Sequence, residues 1–253
     1  MYYSLMSIAG IVIFFILMLL CVIIGQRLGK NKQTTGLSVT EGAVFTLMGL
    51  LVAFTFSSAN QRFDLRRSFI IEETNAISTA YLRLDLLIPK DRLTLQDDFL
   101  SYVTARIAIY ESILDLKAVT TELRKLKEIQ ARLWLDAVNA CKNSVMTASM
   151  LILPSINAMF DIANTRTAYT YFHPHFLIFM LLIVVALLSA LLTGYGMASK
   201  GKWASIHVIA FALIITLTIY IIIDLEYPRL AIIKESKFDS LLVNIKNDFL
   251  HVK

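Results

Sequence analysis

The run Thr40-Glu41-Gly42-Ala43-Val44-Phe45-Thr46-Leu47-Met48-Gly49-Leu50-Leu51-Val52-Ala53-Phe54-Thr55-Phe56-Ser57-Ser58-Ala59-Asn60-Gln61-Arg62-Phe63-Asp64 decides the fold. Residues 42–61 carry no charge, and roughly 20 such residues cross about 30 Å of hydrocarbon as a helix. Thr40 is placed to cap that helix, and Glu41 suits its first turn. After Gly49 neither glycine nor proline occurs until Pro89, so nothing instructs the helix to stop at the membrane boundary. Continuous from Glu41 to Ile88, it would be about 70 Å long, more than twice the hydrocarbon thickness. Past Arg62 its apolar residues Phe63, Ile70, Ile77 and Leu84, with Tyr81 and Ile88 between them, form a heptad-like seam. One helix that spans a membrane and continues into a bundle is the expectation.

Working outward, three more uncharged stretches cover residues 1–26, 167–199 and 203–223. The first has no basic leader and no small-x-small cleavage site, so it reads as a retained helix. The last two are joined by Lys200-Gly201-Lys202, which permits only a helical hairpin. Of 253 residues 57% are hydrophobic and 17% charged, against about 25% charged in a soluble domain. No glycine occurs between Gly49 and Gly194, which excludes a turn-rich β fold. Cys21 and Cys141 give neither a disulfide framework nor metal spacing. The expected class is an all-α membrane protein with four spans: residues 1–61 hold helices one and two, 62–172 an extramembrane bundle, 173–223 the hairpin, and 224–253 a C-terminal helical tail.

Charge follows this division. Residues 62–166 hold fourteen basic and thirteen acidic side chains, and the remaining ten basic and six acidic ones fall in loops and tail. Most of the excess of +5 therefore belongs at membrane boundaries, and no basic stripe with interleaved aromatics points to nucleic acid. Short loops carry five basic residues and the opposite boundary seven, so charge alone does not set orientation. In the bundle, Leu93, Phe99, Val103, Ile107, Tyr110 and Leu114 trace one helix face. Leu126, Ile129, Leu133 and Ala137 trace another, on a helix expected to run from near Thr121 to before Pro154. A shorter segment from Ser155 to about Tyr171 leads to His173-Pro174-His175. No nucleophile–base pair, phosphate loop or metal motif appears, so neither an enzyme nor a cofactor is expected.

The run from Gly49 to Ser57, followed by Arg62-Phe63-Asp64-x-Arg66-Arg67, by Glu72-Glu73-Thr74-Asn75-Ala76-Ile77-x-Thr79-Ala80-Tyr81-Leu82-Arg83 and by Asp224-Leu225-Glu226-Tyr227-Pro228-Arg229, resembles the bestrophin-like family of bacterial membrane proteins. Phe45-Thr46-Leu47-Met48-Gly49 and Phe63-Asp64 are similar to the start and end of the second helix of bestrophins proper. The resemblance implies a pentameric ion channel in the inner membrane, four spans per subunit, a cytoplasmic bundle, and a pore lined by the second helix. It also implies a narrow neck at Thr46, Leu50 and Phe54, with Ser57 or Ser58 on the next turn.

On that helix small and polar residues recur at Gly42, Thr46, Gly49, Ala53, Ser57 and Asn60. Such a stripe either lets helices approach closely or lines water. At the mouths, Glu41 would favour cations, while Arg62, Arg66 and Arg67 would favour anions, with a slight balance towards anions. Each also has a plainer reading, Glu41 as a first-turn residue and the arginines as interfacial anchors. Asp224, Glu226 and Arg229 are expected to fix the end of the fourth span against residues 62–67. His173 and His175 read as helix caps, and His207 as a hydrogen-bonding residue between helices. Two alternatives to the anion channel stay open: a cation channel of the same architecture, and a non-conducting scaffold that uses the bundle as a partner platform.

Overall fold

The computed structural model describes residues 2–30, 39–112, 115–170, 172–198, 205–227 and 236–251. They form α1 (Tyr2–Gly29), α2 (Val39–Leu82), a 3₁₀ turn (Arg83–Leu86), α3 (Pro89–Glu111), α4 (Leu116–Lys142), α5 (Met146–Tyr169), α6 (Phe176–Met197), α7 (Ser205–Glu226) and α8 (Ser236–His251). The protein is an all-α membrane protein. Two compact units divide it: residues 1–64 with 173–234, and residues 65–172 with 235–253.

α2 has 44 residues, about 66 Å at 1.5 Å per residue. It is the long helix expected from the missing glycines, but its α-helical part ends at Leu82 rather than Ile88. The last turn tightens to 3₁₀ over Arg83–Leu86, and Leu87 and Ile88 are extended. Pro89 is the cause: its ring disfavours helical backbone at Ile88, while its fixed φ and missing N–H suit the first turn of α3.

In the membrane unit α1, α6 and α7 are long and apolar enough to span, as is α2. Their shared core includes Met18, Val22, Leu182, Ala186, Ala190, Val208, Ala212 and Ile219. α1 and α6 approach through glycine: a Cβ on Gly25 would collide with the Leu191 carbonyl, and one on Gly194 with the Val22 carbonyl. Lipid offers no hydrophobic drive for this contact, so close backbone packing supplies it. Gly194→Ala is therefore expected to lower the thermal midpoint of the detergent-solubilised protein. Gly10→Ala, where a Cβ meets nothing within 4 Å, should instead raise it through a helix-propensity gain of about 1 kcal/mol.

The second unit packs α3, α4, α5, α8 and the distal part of α2 around Ile77, Leu84, Phe99, Tyr102, Leu133, Ile152, Ile156 and Leu242. Of the expected bundle faces, Phe99, Val103, Tyr110, Leu126, Leu133 and Ala137 are buried, but Leu93 is 53% exposed and Ile88 43%. Leu114 lies outside the described residues. Where one helix was expected from Thr121 towards Pro154 there are two. α4 starts earlier, capped by Asp115 accepting from the amides of Lys117 and Ala118 at 2.9 and 3.2 Å. It ends at Lys142, where the Ser144 hydroxyl donates to the Ala140 carbonyl and the Ser149 hydroxyl to the Cys141 carbonyl. These bonds satisfy carbonyls a helix end leaves orphaned.

Pro154 sits inside α5 instead of before it. Its ring removes one helical hydrogen bond, and Arg83 Nη1 donates to the neighbouring Leu151 carbonyl at 2.8 Å. α5 also meets the length and apolarity needed to span. Its apolar side, however, lies in the bundle core at Ile152, Ile156 and Met159, and it carries the buried Arg166. α8, from the segment read as a tail, packs into the same core through Leu242, Ile245 and Phe249, with Phe249 stacked on Tyr81 at 3.7 Å.

Candidate functional site

One face of α2 in the membrane unit is uncovered. Gly42, Thr46, Gly49, Ala53, Ser57, Ser58 and Asn60 are all exposed, as are Leu50 at 52% and Phe54 at 64%. A Cβ on Gly42 or Gly49 would meet nothing within 4 Å. Among the described residues the glycines of this stripe thus pack against no neighbouring helix; close helix packing is done by Gly25 and Gly194. Thr46 turns its hydroxyl back to the Gly42 carbonyl at 2.9 Å, and the uncovered wall offers mostly hydroxyl oxygens, small apolar atoms and the side chains of Leu50 and Phe54.

Helical phase sorts the charges. At about 100° per residue, Asp64 falls within about 20° of Ser57, whereas Glu41 and Arg66 fall about 160° and 180° away. Exposure agrees: Glu41 is 6% and Arg66 7% exposed, while Asp64 is exposed and accepts from Asn60 Nδ2 at 3.2 Å. The Glu41 carboxylate lies beside Gly196, 3.6 Å from where a Cβ there would sit. Arg67 is half-buried.

Arg62 is committed elsewhere. Its Nε donates to Glu226 Oε2 at 2.8 Å, and His173 Nδ1 lies 3.2 Å from the other carboxylate oxygen. Glu226 is fully buried and Asp224 2% exposed. His173 stacks on Tyr227 at 4.5 Å. The expected tie between the end of α7 and the start of the 62–67 segment is therefore formed by Arg62 and Glu226; Arg229 lies outside the described residues. His175 caps α6, its Nδ1 accepting from the Leu177 amide at 3.4 Å. His207 is exposed.

A second charged cluster, in the bundle, is absent from the sequence reading as a unit. Glu73 is fully buried and takes Arg106 Nε at 2.5 Å on one oxygen and Arg166 Nη1 at 2.7 Å on the other. Arg106 also donates to the Tyr110 hydroxyl and to Thr167 Oγ1 at 3.3 Å, and the Arg166 guanidinium covers the Tyr110 ring at 3.7 Å. Burial pushes the Glu73 carboxyl up, but the two guanidinium charges and their hydrogen bonds outweigh it and hold it below the ordinary carboxylate range. Glu73 of α2, Arg106 of α3 and Arg166 of α5 thus form a pin that joins the three helices. No group of three or more potential metal ligands occurs among the described residues.

No family model matches the sequence, and neither does any curated protein. The fold does have a counterpart. A crystal structure of a bacterial bestrophin homolog from Klebsiella pneumoniae, carrying a point mutation, aligns over 95% of this chain and 98% of that one with a TM-score of 0.70. The chain has a bestrophin fold. Identity over the alignment is 13%, so the likeness to that bestrophin homolog extends to the fold alone. Resemblance in the 49–83 run and the match of the whole fold agree on the same architecture.

Proposed function

We propose that the protein is a homo-oligomeric ion channel of the inner membrane, pentameric, with its bundle cytoplasmic and α2 lining the pore. The observation that carries this reading is the uncovered α2 stripe. A membrane helix that exposes Gly42, Thr46, Gly49, Ala53, Ser57 and Asn60, and whose glycines pack against nothing among the described residues, has a face suited to water at the axis of an assembly. Leu50 and Phe54, on the same broad face, form the neck and gate it by dewetting.

The charge placement favours the cation alternative over the slight anion preference expected from residue types. Arg66 is buried and Arg62 is neutralised by Glu226, whereas Asp64 lies on the stripe. A ring of Asp64 at one end of the pore concentrates cations. Glu41, on the far side of the helix, contributes no ring.

The scaffold reading has its own support in the exposed apolar side chains of the bundle: Leu82 at 65%, Val145 at 68%, Met146 at 79% and Met150 at 69%. Ion flux from proteoliposomes separates the two. A channel passes potassium, and Leu50→Ala/Phe54→Ala increases its flux at equal protein density. Absence of flux in a reconstituted oligomer supports the scaffold, and flux unaltered by the double substitution removes the neck from α2.

A further inference from the structure

Between α3 and α4 of the bundle another buried carboxylate is only half served. Asp98, on α3, is 6% exposed. Its Oδ1 accepts from Arg132 Nε of α4 at 2.8 Å, but its Oδ2 is closed to solvent and has no hydrogen-bond partner among the described residues. An ionised carboxylate only accepts, so a buried oxygen left without a donor costs free energy. The neighbouring group supplies no donor in its charged form. Asp136 stands one turn beyond Arg132 on the same face of α4, within hydrogen-bonding reach of Asp98. Two carboxylates therefore meet beside the Arg132 guanidinium, and each disfavours ionisation of the other.

We propose that Asp98 and Asp136 hold one proton between them, donated from Asp98 Oδ2 to the Asp136 carboxylate, and that this proton latches α3 to α4 as the pH falls. A protonated carboxyl is a donor, so one proton gives the orphaned oxygen a partner and cancels the like charge, while Oδ1 keeps Arg132. Burial selects the proton over other ligands. Oδ2 has no surface for a metal ion or solute to touch, whereas Asp136 is half-buried and can pass a proton in from solvent. Burial and the Asp136 carboxylate push the Asp98 carboxyl up from its ordinary value, against the pull of Arg132. The other elements packed on α3 bring their charges elsewhere. Glu73 of α2 and Arg166 of α5 meet it at Arg106 and Tyr110, two turns and more away. Asp85 of the 3₁₀ turn pairs with Arg92 at 3.5 Å, and on α8 Asp248 and His251 are exposed and Lys246 half-buried. Because the folded-state pKa of Asp98 is raised, the latch contributes fully below the unfolded carboxylate pKa and is lost as pH rises through the folded value. Acid therefore tightens this contact first, at a higher pH than that at which the depressed Glu73 gives up its own contribution.

The test is infrared difference spectroscopy on the full chain in phospholipid vesicles, titrated downward from neutral pH. A protonated-carboxyl band should grow in before the ordinary Asp value is reached. Asp98→Asn and Asp136→Asn should each abolish it, because an amide supplies the donor that the proton supplied, and Glu73→Gln should leave it in place. Thermal denaturation gives a second reading. At neutral pH Asp136→Asn should raise the midpoint, and the gap to the unsubstituted chain should close as acid loads the native pair. A band that survives Asp98→Asn undiminished would overturn the proposal, as would the lack of any such band above the ordinary Asp value. So would a neutral-pH midpoint that Asp136→Asn lowers. None of these measurements depends on ion conduction.

Discussion

Glu73→Ala is expected to be among the most damaging single substitutions in the bundle, costing about 3–5 kcal/mol. The reason is asymmetry. The carboxylate serves two guanidinium groups that are 1% and 4% exposed, and removing it takes from each of these buried cations the carboxylate oxygen it is paired with. Thermal denaturation followed by circular dichroism should show the loss directly. Replacing Arg106 and Arg166 together with the carboxylate by apolar residues of similar volume should be far milder, because the desolvation cost disappears with the charges. The pH dependence has a defined sign. Because the folded-state pKa of Glu73 is depressed, its contribution is fully present above the unfolded carboxylate pKa and is lost as pH falls through the folded value. Acid should therefore destabilise the bundle, and Glu73→Gln should flatten that slope.

The second large effect concerns ion preference. Under a tenfold potassium chloride gradient, a perfectly cation-selective pore would approach about 59 mV of reversal potential. Asp64→Lys should reverse the sign of that potential, since each subunit's contribution to the ring changes from negative to positive. Arg66→Gln, on the buried side of the same helix, should leave it in place. If Arg66→Gln moves the potential and Asp64→Lys does not, the phase assignment of α2 is wrong.

How much of this was legible in the sequence differs from element to element. The length of α2 was, because a run free of glycine and proline is a local property. Its 3₁₀ end was encoded too, in Pro89, though an apolar residue at Ile88 masked the boundary by continuing the seam. The α4–α5 break was not legible: residues 143–145 contain no glycine or proline, and the last carbonyls are met by the Asn143 and Ser144 amides together with the Ser144 and Ser149 hydroxyls. Pro154 misled in the opposite direction, since it lies inside α5 and costs the helix only the bond from its own position to the carbonyl four residues back.

The candidate site shows the same division. Small and hydroxyl residues at helical spacing marked the stripe. Nearness to the ends of the span marks Glu41, Arg62, Arg66 and Arg67, but not which side of the helix each occupies. Counting 100° steps from Ser57 places Asp64 on the stripe and Glu41 and Arg66 behind it, which exposure bears out. The Glu73 pin joins residues 33 and 93 positions apart, and no local pattern reports a pairing of that range.

The proposal that α2 lines a conducting pore is tested most directly by water accessibility at Ser57. Cys21 and Cys141 are the two native cysteines, so Ser57→Cys belongs in a Cys21→Ala/Cys141→Ala background, recorded in planar bilayers with a positively charged methanethiosulfonate reagent applied in solution. The expected result is rapid modification and a stepwise fall in current, with no effect on the same background carrying a cysteine at Met48, which is 6% exposed on the opposite side of the helix. A conducting protein whose current is untouched at Ser57, or is altered equally at Met48, would contradict it.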